Sequence, residues 1–160
     1  MTTKNIFRLI AAVAVCELAG ALGVLATTPA IPGWYAGLVK PALNPPSWVF
    51  GPVWTTLYLL MGIALWMIWE KWDVDAQLRT NALMVFAAQL VLNACWSFIF
   101  FGAQLTGAAF LELFALWYLI SATIVSFAKI SRKAAWLLLP YFLWVSFALY
   151  LNGAIWLLNR

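Results

Sequence analysis

Three runs of the sequence place polar and aromatic side chains at helical intervals. Trp54, Tyr58 and Met61 share one face, Gln89, Asn93, Trp96, Ser97 and Phe100 a second, and Tyr141, Trp144, Ala148 and Asn152 a third. Residues three or four apart are neighbours on a helix surface. The chemistry such faces offer is recognition. Indole and phenol rings stack on other flat ring systems, and the amides of Gln89 and Asn93 add a few directional hydrogen bonds. Two accounts fit these faces. The amides and rings are glue between helices, or they converge on a pocket for a large, planar, apolar small molecule, since such sites pair apolar walls with a few polar groups. Acid–base and metal chemistry have little to work with. The chain has no histidine, which removes the commonest metal ligand and general base. Cys16 and Cys95 sit in apolar stretches and read as packing residues. Neither a P-loop nor a glycine-rich nucleotide fingerprint is present. Glu17 and Glu112 are carboxylates inside apolar stretches, which must face protein or water. They are the groups a proton-coupled transporter would use.

The elements that must position these faces follow from composition. Of 160 residues, 66% are hydrophobic and 9% charged, and the mean hydropathy is +0.96. A soluble domain carries about 25% charged residues. A bilayer core needs about 20 apolar residues per helix, and stretches at 6–27, 46–69, 80–101, 106–128 and 134–157 meet that length. The stretches are continuous rather than alternating, which argues against a β-barrel. In lipid the backbone must satisfy its own hydrogen bonds, so helices are expected. The fold class expected is an all-α membrane protein, a five-transmembrane-helix bundle forming one domain over 1–160.

The net charge of +4 reads as topogenic rather than as a nucleic-acid footprint, because the basic residues are scattered over short loops. Lys4, Arg8, Lys71, Arg79, Lys129, Arg132 and Lys133 would fall on one side of the membrane, and Lys40 and Arg160 on the other. The positive-inside rule then predicts a multi-pass protein with a cytoplasmic N-terminus and the 28–45 loop outside, and the membrane expected is a bacterial cell membrane. Ala12, Cys16, Gly20, Ala19 and Gly23 in the first span are small residues at close-packing intervals. They suit packing inside the bundle or a homodimer seam.

The 28–50 region is aromatic and proline-rich, unlike a flexible linker. Thr27-Thr28-Pro29 reads as the end of the first span. Residues 31–38 are expected to form a short helix lying on the bundle, as the lid of any pocket beneath. Asn44-Pro45-Pro46 reads as a helix start, with asparagine as the cap. Pro52 and Pro140 are expected to bend their spans. Trp66, Trp69 and Trp72 read as an interfacial aromatic belt.

These motifs carry a resemblance. Trp34-Tyr35, Leu38, Lys40-Pro41, Pro45-Pro46, Trp48-Val49-Phe50, Pro52, Trp54 and Leu57-Tyr58, then Asn93-Ala94-Cys95-Trp96-Ser97, then Trp136-Leu137-Leu138, Pro140-Tyr141, Trp144, Ala148 and Leu151-Asn152 resemble the signature of the TspO/MBR family. That family comprises the tryptophan-rich sensory proteins and the mitochondrial translocator protein. The resemblance implies a five-helix bundle, usually a homodimer, that binds porphyrins such as protoporphyrin IX and heme precursors, with no cofactor required. In its mitochondrial members it implies cholesterol and synthetic ligands as well. It implies a ligand pocket lined by Tyr35, Pro45, Trp54, Tyr58, Asn93, Trp96, Ser97, Phe100, Trp144 and Ala148. Trp54 and Trp144 stand where the family has aromatics linked to light-dependent porphyrin breakdown. Lys40 could pair with a propionate at the mouth. The sterol-recognition pattern is broken, because Leu151-Asn152 is followed by Gly153 instead of tyrosine. The function expected is tetrapyrrole sensing, regulation or transport. The alternatives are light-dependent porphyrin degradation by the pocket tryptophans and proton-coupled transport.

Overall fold

The computed structural model describes residues 3–160. Among the described residues every regular element is helical. Helix α1 spans Thr3–Ala30 and runs on without a break as a π-turn over Ile31–Tyr35. Helix α2 spans Ser47–Trp69 and α3 spans Ala76–Ser97, the latter continuing as a second π-turn over Phe98–Gly102. Helix α4 spans Thr106–Ala128, α5 spans Arg132–Leu137 and α6 spans Leu139–Leu158. With α5 and α6 taken as one crossing, five helical segments are long and apolar enough to span a membrane. This is the expected all-α five-span architecture.

The proline signals resolve differently from their sequence reading. The first span does not stop at Pro29. Pro29 lies inside α1 and Pro32 in the first turn of the π segment. A proline offers no amide and crowds the carbonyl four residues back, and a π-turn, with its wider i→i+5 ladder, accommodates both effects without ending the helix. The expected short helix therefore exists as the last turns of α1 rather than as a separate piece. Asn44 is not the cap of α2 either. The cap position is Pro46, with no side-chain capping bond. Asn44 is held elsewhere: its Oδ1 accepts from the Tyr35 hydroxyl at 3.1 Å, and its Nδ2 donates to the Pro45 carbonyl at 3.1 Å. Pro140 behaves as expected. The helix breaks at Leu138, and α6 restarts with proline in its first turn.

That break shapes the bundle. Helix α2 packs closely on α5 but scarcely touches α6, while α1 packs on α2 and α3, and α4 on α3 and α6. At the α5 end the bundle closes around Ile68, Phe86, Phe127, Ala134 and Leu138, each at most 2% exposed, with Phe86 and Phe127 stacked at 5.7 Å. At the other end α2 and α6 diverge, and a space opens among α1, α2, α3 and α6.

The two ends are tied differently. At the N-terminal end Arg8 of α1 pairs with Glu70 at 2.9 Å. The guanidiniums of Arg8 and Arg79 both lie over the Trp72 ring, 5.5 and 3.9 Å from its centroid. At the opposite end Asn159 brackets one residue of the loop. Its Oδ1 accepts from the Val39 amide and its Nδ2 donates to the Val39 carbonyl, both at 2.9 Å. The loop after α1 is thereby pinned to the end of α6.

The small residues of α1 are used within the chain. Ala12 and Cys16 are at most 1% exposed. A Cβ on Gly20 would collide with the Tyr58 ring, and one on Gly23 would stand 2.8 Å from the Ser97 hydroxyl. Their absent side chains let α1 approach α2 and α3.

Candidate functional site

The space between α2 and α6 is a cavity of about 560 Å³, within the range of small-molecule sites. Trp54 and Tyr58 project from α2, Asn93, Trp96 and Ser97 from α3, Phe100 from the π-turn that follows it, and Trp144 and Ala148 from α6. Tyr35, at the end of α1, closes the loop side. Nine of the ten residues expected there line this one cavity. Pro45 does not, although its neighbours Asn44 and Ser47 do.

The walls are built by aromatic packing. Trp54 stacks on Tyr58 at 5.5 Å and meets Tyr141 edge-on at 6.2 Å. Trp96 stacks on Phe100 at 5.1 Å, and Phe100 meets Trp34 and Tyr35 edge-on. Phe50 meets Trp144 edge-on at 5.9 Å. Rings so wedged present fixed flat faces, which lowers the ordering cost of a flat ligand.

Behind the aromatic wall runs a buried polar chain. The Tyr58 hydroxyl donates to Asn93 Oδ1. Asn93 Nδ2 donates to the Tyr141 oxygen at 2.9 Å, and the Tyr141 hydroxyl donates to Gln89 Oε1 at 2.9 Å. Asn93, Tyr141 and Gln89 are at most 4% exposed, so in lipid each bond replaces one that water cannot supply. Asn152, at 1% exposure, joins α3 to α6: its Oδ1 accepts from Trp96 Nε1 at 3.1 Å, and its Nδ2 donates to the Thr106 carbonyl at 2.8 Å. These bonds fix Tyr58 and Trp96, both of which line the cavity.

Some polar groups are left over. Trp144 Nε1 is buried and has no hydrogen-bond partner among the described residues. Among the described residues, Glu17 of α1 is the one carboxylate on the cavity wall, and no basic side chain lines the space. Glu112 is a different case. Both its oxygens are buried without a partner among the described residues, but it lies off the cavity. Lys40 does not line the cavity. It caps the end of α1, donating to the carbonyls of Ala36 at 3.2 Å and Leu38 at 3.1 Å, and sits 4.7 Å over the Tyr35 ring. Among the described residues no cluster of metal-ligating side chains forms.

Sequence reasoning does not single out the α1 wall. Gly20, Gly23, Thr27 and Thr28 line the cavity opposite α6. The glycine spacing by itself signals only packing. Phe50 and Gly51, at the start of α2, also contribute.

The architecture is that of a polytopic helical membrane protein with a ligand-sized aromatic cavity among its spans. The model of the TspO/MBR family matches residues 12–157, and the chain belongs to that family. It is 41% identical over 160 residues to the tryptophan-rich protein TspO of Chlorobaculum tepidum, covering 98% of each chain. It is 41% identical over 123 residues to the human translocator protein, covering 77% of this chain and 73% of that one. It is 37% identical over 144 residues to the tryptophan-rich sensory protein of Cereibacter sphaeroides, covering 87% of each.

Proposed function

We propose that the cavity binds a porphyrin, with protoporphyrin IX as the representative ligand, and that the protein serves tetrapyrrole sensing, regulation or transport in a bacterial cell membrane. The observation that carries this reading is the aromatic enclosure: Trp54, Trp96 and Trp144 stand around one space of about 560 Å³. A flat macrocycle gains both apolar burial and ring stacking there. The names of the relatives, translocator and sensory protein, support a role in recognition or movement of a small molecule. The loop held by Asn159 and the Tyr35–Asn44 bond is the cover through which the ligand enters.

Tryptophan quenching by protoporphyrin IX, in the dark and in detergent, tests the reading. Saturable quenching, weakened by Ala148→Leu, which fills the cavity floor without adding a charge, is the expected result. Quenching that rises without saturation and ignores Ala148→Leu means partition into the micelle and removes the reading.

A second reading rests on Trp54 and Trp144 sharing the cavity. A bound porphyrin excited by light in air would meet two oxidisable indoles. Breakdown exceeding one porphyrin per protein, lost in Trp54→Phe or Trp144→Phe, would make the protein an enzyme. Breakdown that persists in both variants is free-solution photochemistry.

A further inference from the structure

The cavity is electrically one-sided, and that points to a chemical preference within the site. Among the described residues its wall carries one carboxylate, Glu17, and no basic side chain. Glu17 makes no hydrogen bond or ion pair among the described residues, where the ion pairs are Arg8–Glu70 and Lys71–Asp73. Its position is fixed by α1: Cys16 beside it is fully buried, and Gly20, three residues on and so on the same face, lies against the Tyr58 ring. Glu17 therefore lines the same cavity as the stacked pair Trp54 and Tyr58. A carboxylate next to aromatic faces is the pairing that holds a protonated nitrogen, by charge on one side and by the ring quadrupole on the other. Lys40, a candidate counter-ion for an anion, is turned to the carbonyls of Ala36 and Leu38 and does not line the cavity.

We infer that Glu17 is a specificity-determining residue that makes the cavity favour flat ligands bearing a protonated amine, and that anionic groups are held at the mouth by the loop rather than inside. This rests on the cavity being a ligand site, and it adds a charge preference to that reading. A dicarboxylate porphyrin accordingly enters with its carboxylates toward Asn44 and Ser47 and its ring inward. A planar amine places its nitrogen at Glu17.

The test uses the purified full chain and two probes: 9-aminoacridine, flat and protonated at neutral pH, and protoporphyrin IX. Tryptophan quenching is titrated with each on wild type, Glu17→Gln, Glu17→Asp and Trp144→Phe. The expected result is that Glu17→Gln weakens 9-aminoacridine by about tenfold, the scale of one charge-assisted contact. Glu17→Asp should keep most of the affinity, and protoporphyrin IX should bind Glu17→Gln at least as well as wild type. If Glu17→Gln leaves 9-aminoacridine unchanged while Trp144→Phe weakens both probes, the charge preference is overturned and the cavity reading stands. Equal weakening of both probes by Glu17→Gln overturns the preference in the same way. If neither probe saturates on wild type, the cavity reading fails and the preference falls with it. Glu17→Asp retains the carboxylate, so equal loss in Asp and Gln variants also counts against the inference.

Discussion

The two halves of the bundle use the same kinds of residue to opposite ends. In the half around α5, Phe86, Phe127 and Ile68 fill space completely. In the half around the α2–α6 divergence, Trp54, Trp96 and Trp144 wall a space instead of filling it. The polar groups do not divide so cleanly. Tyr141, Asn93 and Gln89 bond one another in a chain, yet Gln89 Nε2, Trp66 Nε1 and both Glu112 oxygens are buried without a partner among the described residues, as is Nε1 of the cavity-lining Trp144. What separates the two halves is whether their aromatic rings fill space or wall it. Asn93 belongs to both halves, being a chain member and a cavity wall. The structure thus holds both interhelical glue and a cavity among the aromatic faces.

Substitutions can break that division, and their expected effects fall in a clear order. The largest is Asn93→Leu, which strands the Tyr58 hydroxyl and leaves Tyr141 only its bond to Gln89. The stranded hydroxyl costs about 1–3 kcal/mol, and the lost bond to Tyr141 adds to it. Thermal unfolding in detergent reads it directly. Gly62→Val comes next: a Cβ there would stand 2.5 Å from the Val13 backbone, and forced overpacking costs about 1–3 kcal/mol. Gly51→Ala, where nothing lies within 4 Å of the added carbon, is its control and should leave the melting temperature unlowered. Asn159→Ala removes both bonds to Val39 and should cost about 1–2 kcal/mol locally, seen as faster amide exchange at residues 38–46 with the spans unchanged. The smallest stability effect belongs to Trp144→Phe, whose lost N–H had no partner, yet its effect on ligand affinity should exceed that of Gly62→Val.

The span count was legible in the sequence because lipid leaves the backbone one solution, and the apolar lengths state it. Nine cavity residues were legible through the family motifs and the helical spacing of their faces. The loop was harder. Pro29 read as a stop because proline usually breaks an α-helix, and only the π-turn explains why α1 continues. Asn44 read as a cap because that is its local preference, but the Tyr35 hydroxyl, nine residues away, took its side chain by tertiary contact. The α1 wall stayed hidden because glycine spacing signals close approach without saying what is approached. Gly20 meets Tyr58 and Gly23 meets Ser97, and that pairing exists only in three dimensions.

One paired measurement bears most directly on the division between a filled half and a binding half. Melting temperature and the midpoint of dark protoporphyrin IX quenching are recorded on the same preparations of Trp144→Phe and Phe127→Leu. The structure predicts that Trp144→Phe shifts the midpoint by about tenfold with little change in melting temperature, while Phe127→Leu lowers the melting temperature and leaves the midpoint in place. If the two variants move both quantities together, or if wild-type quenching never saturates, the walls of the cavity are bundle core like the rest, and the division does not hold.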